Sequence, residues 1–180
     1  MCRYAMVKYK PHYACFHCRK TFKRRLLIDI GRHDKLESKE ARCPSCGQLM
    51  ASMGLDFKAP KKDNIEEWEH INRLYSVGII FHSCGCSGPG YIPNTKETLI
   101  AYFEEIKQEY QRQLEFWRQR AEPENQSEID RDISKNGYFI GRIPLQFRAS
   151  KRTVVNQEAK NYWIERLIEI DQKICQAKNS

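Results

Sequence analysis

Four cysteines fall into two identically spaced pairs. Cys15 and Cys18 enclose two residues in "YACFHCRKTFKRR", and Cys43 and Cys46 enclose two in "RCPSCGQL". Between the pairs lie 24 residues. A C-x2-C turn aims two thiolates at one point from a tight backbone loop. One such turn supplies half of a tetrahedron, and a second supplies the rest. That repetition is the spacing of a zinc site closed by four sulfurs at about 2.3 Å. Two other chemistries use paired cysteines. A disulfide framework needs an oxidising compartment, and the N-terminus "MCRYAMVKYKPHYAC" has no apolar stretch of the kind that targets a chain for export. A thioredoxin-like pair follows a strand and opens a helix, whereas "RKTFKRRLLIDI" after Cys18 alternates like a strand. The spacing therefore predicts Cys15, Cys18, Cys43 and Cys46 as ligands of one structural zinc ion in a cytoplasmic protein.

The four ligands sit in unusually basic sequence. Five of the seven residues after Cys18 are Lys or Arg. Residues 1–62 hold 15 Lys and Arg against 5 Asp and Glu, a net of +10, while residues 63–180 hold 16 against 18, a net of −2. The formal charge of +8 thus belongs to the N-terminal third. Concentrated positive charge suits a polyanion partner. Lys20, Lys23, Arg24 and Arg25 are candidates for phosphate contacts, and Phe16 and Phe22 for stacking on an unpaired base. Core packing within the small domain is the competing role for the two phenylalanines.

These cysteine turns carry a resemblance. "CFHCRKTFKR" and "CPSCGQLM" resemble the two knuckles of a zinc ribbon, with Pro44 and Gly47 suited to the tight second turn. The likeness covers about residues 10–58, and the whole chain is similar to uncharacterised bacterial zinc-ribbon proteins. It implies a three-stranded antiparallel fold around one structural zinc. Ribbons of this kind occur in ribosomal proteins, transcription proteins and protein adaptors. The expected partner is accordingly RNA, a ribonucleoprotein such as the ribosome, or DNA; the alternative is a protein adaptor whose ribbon and helices bind a protein.

A second cluster stands in "FHSCGCSGPGYIP", residues 81–93. His82, Cys84 and Cys86, with His70 or another residue as a fourth ligand, are candidates for a second metal ion. The competing reading is a glycine-rich loop holding small cysteines, because C-x-C is a less usual zinc spacing and has no partner pair. No catalytic constellation is visible. His12, His17, His33 and His70 fit no acid–base set, and no phosphate-binding or nucleophile-elbow motif is present.

The elements that must position these groups can be read from periodicity. An α+β architecture is expected: an N-terminal basic ribbon over 1–62, joined to a mainly helical domain with a few short strands over 63–180. "KAPKKDN" reads as a linker. Ile65, Trp68, Ile71 and Leu74 recur at helical intervals, with Gly78 placed to end that helix. "IIFHS" at 79–83 predicts a short strand. Residues 94–120 predict a long helix capped by Asn94 and Glu97, with a stripe of Leu99, Phe103, Ile106, Tyr110, Leu114 and Trp117. Residues 121–137 read as a polar connector, and "YFIGRIPLQF" at 138–147 as extended chain. Residues 156–176 predict a second long helix, lined by Ala159, Trp163, Leu167, Ile170 and Ile174. No apolar run is long enough to span a membrane.

Overall fold

The computed structural model describes residues 10–24, 40–83, 88–150 and 153–179. Strands β1 (His12–Cys15), β2 (Lys20–Lys23) and β3 (Ala51–Gly54) form an antiparallel sheet in the order β2-β1-β3. Four helices follow: α1 (Ile65–Ser76), α2 (Lys96–Gln119), α3 (Gln126–Gly141) and α4 (Asn156–Asn179), with a short 3-10 turn at Leu145–Phe147. This is the expected α+β architecture. Two compact units divide the chain, one reaching Leu99 and the other running from Ile100 to Lys178.

In the first unit, α1 lies on one face of the ribbon sheet. Ala14, Ala51 and Met53 from the sheet form a buried cluster with Phe57, Trp68 and Ile71. Burying Met53, Phe57 and Ile71 contributes about 1.5–3 kcal/mol each, a large share for so small a sheet. Asn64 caps α1 by accepting from the Glu67 amide at 3.3 Å and donating to the Glu67 carboxylate at 2.7 Å. Gly78, at φ +85°, ends it, and the Ile79 amide returns to the Leu74 carbonyl at 2.9 Å.

Residues 79–83 form no strand. Gly54 turns out of β3 at φ +92°, so only Phe81 reaches the sheet margin, donating to Met53 O at 2.8 Å and accepting from Asp56 N at 3.0 Å. Gly54 is obligatory at this crossing, because a Cβ there would lie 2.3 Å from the Phe81 carbonyl oxygen.

In the second unit, α2, α3 and α4 enclose a core of Leu114, Trp117, Ile140, Ile143, Val154, Ala159 and Trp163. Helices α2 and α4 match their expected stripes. The cap of α2 is Thr95, one residue later than expected: its hydroxyl accepts from Thr98 N at 3.2 Å, and its own amide donates to Thr98 Oγ1 at 2.9 Å. The span from 121 to 147 differs more. What reads as polar connector and extended chain is mostly α3, capped by Asn125, which accepts from Glu128 N at 3.0 Å. Asn136 interrupts the helix with φ −115° and ψ 19°. That kink splits the apolar stripe, placing Ile129 and Ile133 before it and Phe139 and Ile140 after it, so neither half shows a full helical period.

Candidate metal centre and the ribbon face

Both cysteine pairs lie in tight turns that their flanking pairings set. Cys15 ends β1 and pairs in register with Lys20, so residues 16–19 form the connecting turn. Arg42 and Leu49 form a bridge that closes the second turn, reinforced by Cys43 N to Gln48 O and Gly47 N to Cys43 O, each 2.8 Å. The residue after each second cysteine is left-handed: Arg19 at φ 50° and Gly47 at φ 75°. For a non-glycine residue this conformation costs roughly 1–2 kcal/mol. At Arg19 the side chain is tied down by a 3.0 Å bond from Nε to Lys62 O.

The turns bring four sulfurs together. Cys15 Sγ lies 3.6 Å from Cys46 Sγ, and Cys43 Sγ lies 4.0 Å from Cys18 Sγ. All four atoms fall within 4.8 Å of one another. A tetrahedron of sulfurs about 2.3 Å from a central ion has edges of about 3.8 Å, a value between these two separations. The four cysteines thus form a possible metal-binding site, with the soft, tetrahedral donor set that zinc takes.

Without an ion, three of the thiols depart from the ordinary cysteine pKa. At Cys43, burial pushes the pKa up, but the Ser45 and Cys46 amides and the neighbouring Cys15 and Cys46 thiols bring it down to about 7. Hydrogen bonding to Cys46 and burial hold Cys18 up at about 12, and burial raises Cys15. Burial and the neighbouring sulfurs oppose ionisation of Cys15 and Cys18, and thiolates held this close would also repel each other. A bound dication removes that penalty.

The five described residues among the six proposed for nucleic-acid contact do not share one face. Phe16 packs edge-on against Trp68, with ring centroids 6.3 Å apart, and lies half-buried against the buried cluster. Lys23 pairs with His12, on the face that carries Ala14; burial and Lys23 together lower the His12 pKa. Arg25 lies outside the described residues. On the opposite face, Phe22 pairs in register with Tyr13, and Tyr13 pairs with Ser52 across β3. The Arg24 guanidinium sits over the Tyr13 ring, 5.9 Å from its centroid. Lys20 Nζ donates to Ser45 Oγ at 3.2 Å, beside the second cysteine turn. Among the described residues, Lys20, Lys23 and Arg24 form no ion pair with a carboxylate. Tyr13 is the residue of this face that sequence reading did not single out. A four-residue turn between Cys15 and Lys20 already implies its pairing with Phe22.

Of the second cluster, Cys84 and Cys86 lie outside the described residues. His82 is exposed, and His70 Nε2 lies 2.9 Å from Pro93 O. No described helix is long and apolar enough to cross a membrane. No protein family, curated protein or solved structure matches this chain.

Proposed function

We propose that the ribbon holds one structural zinc ion and that the protein is a non-catalytic nucleic-acid binder. Its partner on this reading is RNA, a ribonucleoprotein or DNA, contacted through the ribbon. The observation that carries the reading is the junction of two features: a four-sulfur cluster of tetrahedral dimensions, and cations with no described carboxylate partner on the strand that leaves it. The zinc does no chemistry on a substrate. It fixes the two turns, and with them the sheet on which Lys20, Phe22 and Arg24 stand. Apparent metal-binding energies of about 10–16 kcal/mol in small zinc modules make such a fold metal-dependent.

Elemental analysis of protein purified without added metal should give one zinc per chain. Two ions, one of them lost in a Cys84→Ser/Cys86→Ser variant, would establish a second site in the glycine-rich loop. Protein that is folded, reduced and free of zinc would remove the metal assignment. For the partner, affinity for short labelled RNA and DNA should fall with rising salt. A slope of log K against log[salt] of about −0.7 per phosphate is expected for a single strand. Absence of binding at low salt would sink the nucleic-acid reading and leave the protein adaptor as the better one.

A further inference from the structure

We infer that the outer face of the ribbon sheet is a stacking platform for the unpaired bases of a single-stranded polynucleotide, with Tyr13 and Phe22 as its floor. The inference rests on the nucleic-acid reading above and makes it specific. In an antiparallel pair, residues in register project to the same side, so Tyr13, Phe22 and Ser52 share one face. The other face is occupied: Ala14, Ala51 and Met53 pack against Phe57, Trp68 and Ile71. Among the described residues, Tyr13 and Phe22 belong to neither that cluster nor the side chains packed on it, and both are half-buried.

Two cations flank the rings on the same strand face. Lys20 and Arg24 lie two residues to either side of Phe22, about 7 Å each way along an extended chain. The Arg24 amide continues the β1–β2 ladder, donating to Pro11 O at 3.2 Å, and its guanidinium lies over Tyr13. A run of cation, aromatic pair and cation matches the alternation of phosphate and base along one strand. Such platforms bind single strands because every base has a π face, which a duplex hides in its own stack. Charge alone would serve a duplex equally well. The paired rings are what favour the single strand.

The test uses the full zinc-loaded chain with short labelled oligo-U, oligo-dT and a duplex of equal phosphate number. Wild-type protein should prefer either single strand to the duplex. Tyr13→Leu and Phe22→Leu keep apolar bulk but remove the π face. Each should weaken single-strand binding by about tenfold, leave duplex binding and the salt slope unchanged, and retain zinc. Tyr13→Phe should bind like wild type. Single-strand affinity unchanged in the Tyr13→Leu/Phe22→Leu variant would overturn the platform, while wild-type salt-dependent binding would keep the broader reading. Equal wild-type affinity for duplex and single strand would also overturn it. Wild-type protein that binds none of the probes would sink the broader reading and the platform with it.

Discussion

Arg120 and Asp132 form an ion pair inside the second unit, with Arg120 Nε and Nη2 donating to one carboxylate oxygen at 3.1 and 2.7 Å. The two side chains are only 3% and 12% exposed. The same guanidinium reaches Val154 O and Asn156 Oδ1, at 3.1 and 2.6 Å, and lies over Trp117. One side chain thereby ties the end of α2 to α3 and to the start of α4. Removing one partner of such a pair leaves a buried charge uncompensated, at about 3–5 kcal/mol. Arg120→Ala and Asp132→Asn should each destabilise the second unit by that order in urea unfolding.

The pair also sets a pH dependence. Burial pushes the Asp132 carboxyl up, but Arg120 and a hydrogen bond from Asn136 outweigh it and hold its pKa below the ordinary 3.8. A depressed folded pKa means that the stabilisation is complete above the unfolded value and is lost as pH falls through the folded one. The stability gap between wild type and Asp132→Asn should stay constant from neutrality to about pH 5 and shrink below pH 4. A gap that is constant down to pH 2 would show that the carboxylate charge contributes nothing.

Chelation should act on the first unit alone. Because Trp68 and Ile71 pack into the cluster with Met53 and Ala14, α1 should lose amide protection together with the sheet. Residues of α3 and the Ile100–Lys178 part of α2 and α4 should keep theirs, since their core contains no metal ligand. Hydrogen exchange with and without chelator reads this directly. Protection of α1 that survives metal removal would mean that the helix is stable without the ribbon.

Gly54→Ala should be among the most damaging single substitutions in the first unit. The added methyl would meet the Phe81 carbonyl at 2.3 Å, on a backbone at φ +92°. A loss of about 2 kcal/mol or more follows from strain and displacement combined. Gly78→Ala, at φ +85° with open space around it, should lose only about 1 kcal/mol. Equal melting temperatures for the two variants would mean that the Phe81 segment moves aside freely.

Charge on the ribbon should matter more than charge on α2. Lys20→Gln/Arg24→Gln should reduce the salt slope by about 1.4, at about 0.7 per lost phosphate contact. In α2, Lys107 is paired with Asp171 at 2.7 Å and Arg112 with Glu109 at 3.0 Å. Their Gln variants should leave the slope unaltered. Equal effects from the two sets would indicate diffuse attraction to the whole molecule.

Legibility in the sequence followed how local the governing physics is. The cysteine turns were readable because two residues of spacing dictate where thiolates can point. Helices α2 and α4 were readable because uninterrupted stripes advertise a buried face. Helix α3 was not, because Asn136 breaks its stripe and Gly137 beside it reads as a stop. Phe16 and Phe22 could not be told apart by type: Phe16 stands in the cysteine turn and packs on Trp68 of a distant helix, whereas the face of Phe22 depends on strand register. Register also explains the missed Tyr13, which lies on the N-terminal side of the first cysteine turn, away from the basic run.

The first cysteine of each pair, Cys15 or Cys43, is buried, while Cys18 is intermediate and Cys46 exposed. An ion held by these four sulfurs would have an inner and an outer flank, and would exchange through the outer one. A competing chelator meets Cys46 and Cys18 before the other two, so release begins there while the inner sulfurs still hold. Cys46→Ser should speed metal turnover in protein that stays folded, whereas Cys15→Ser removes the sulfur on which the sheet is built.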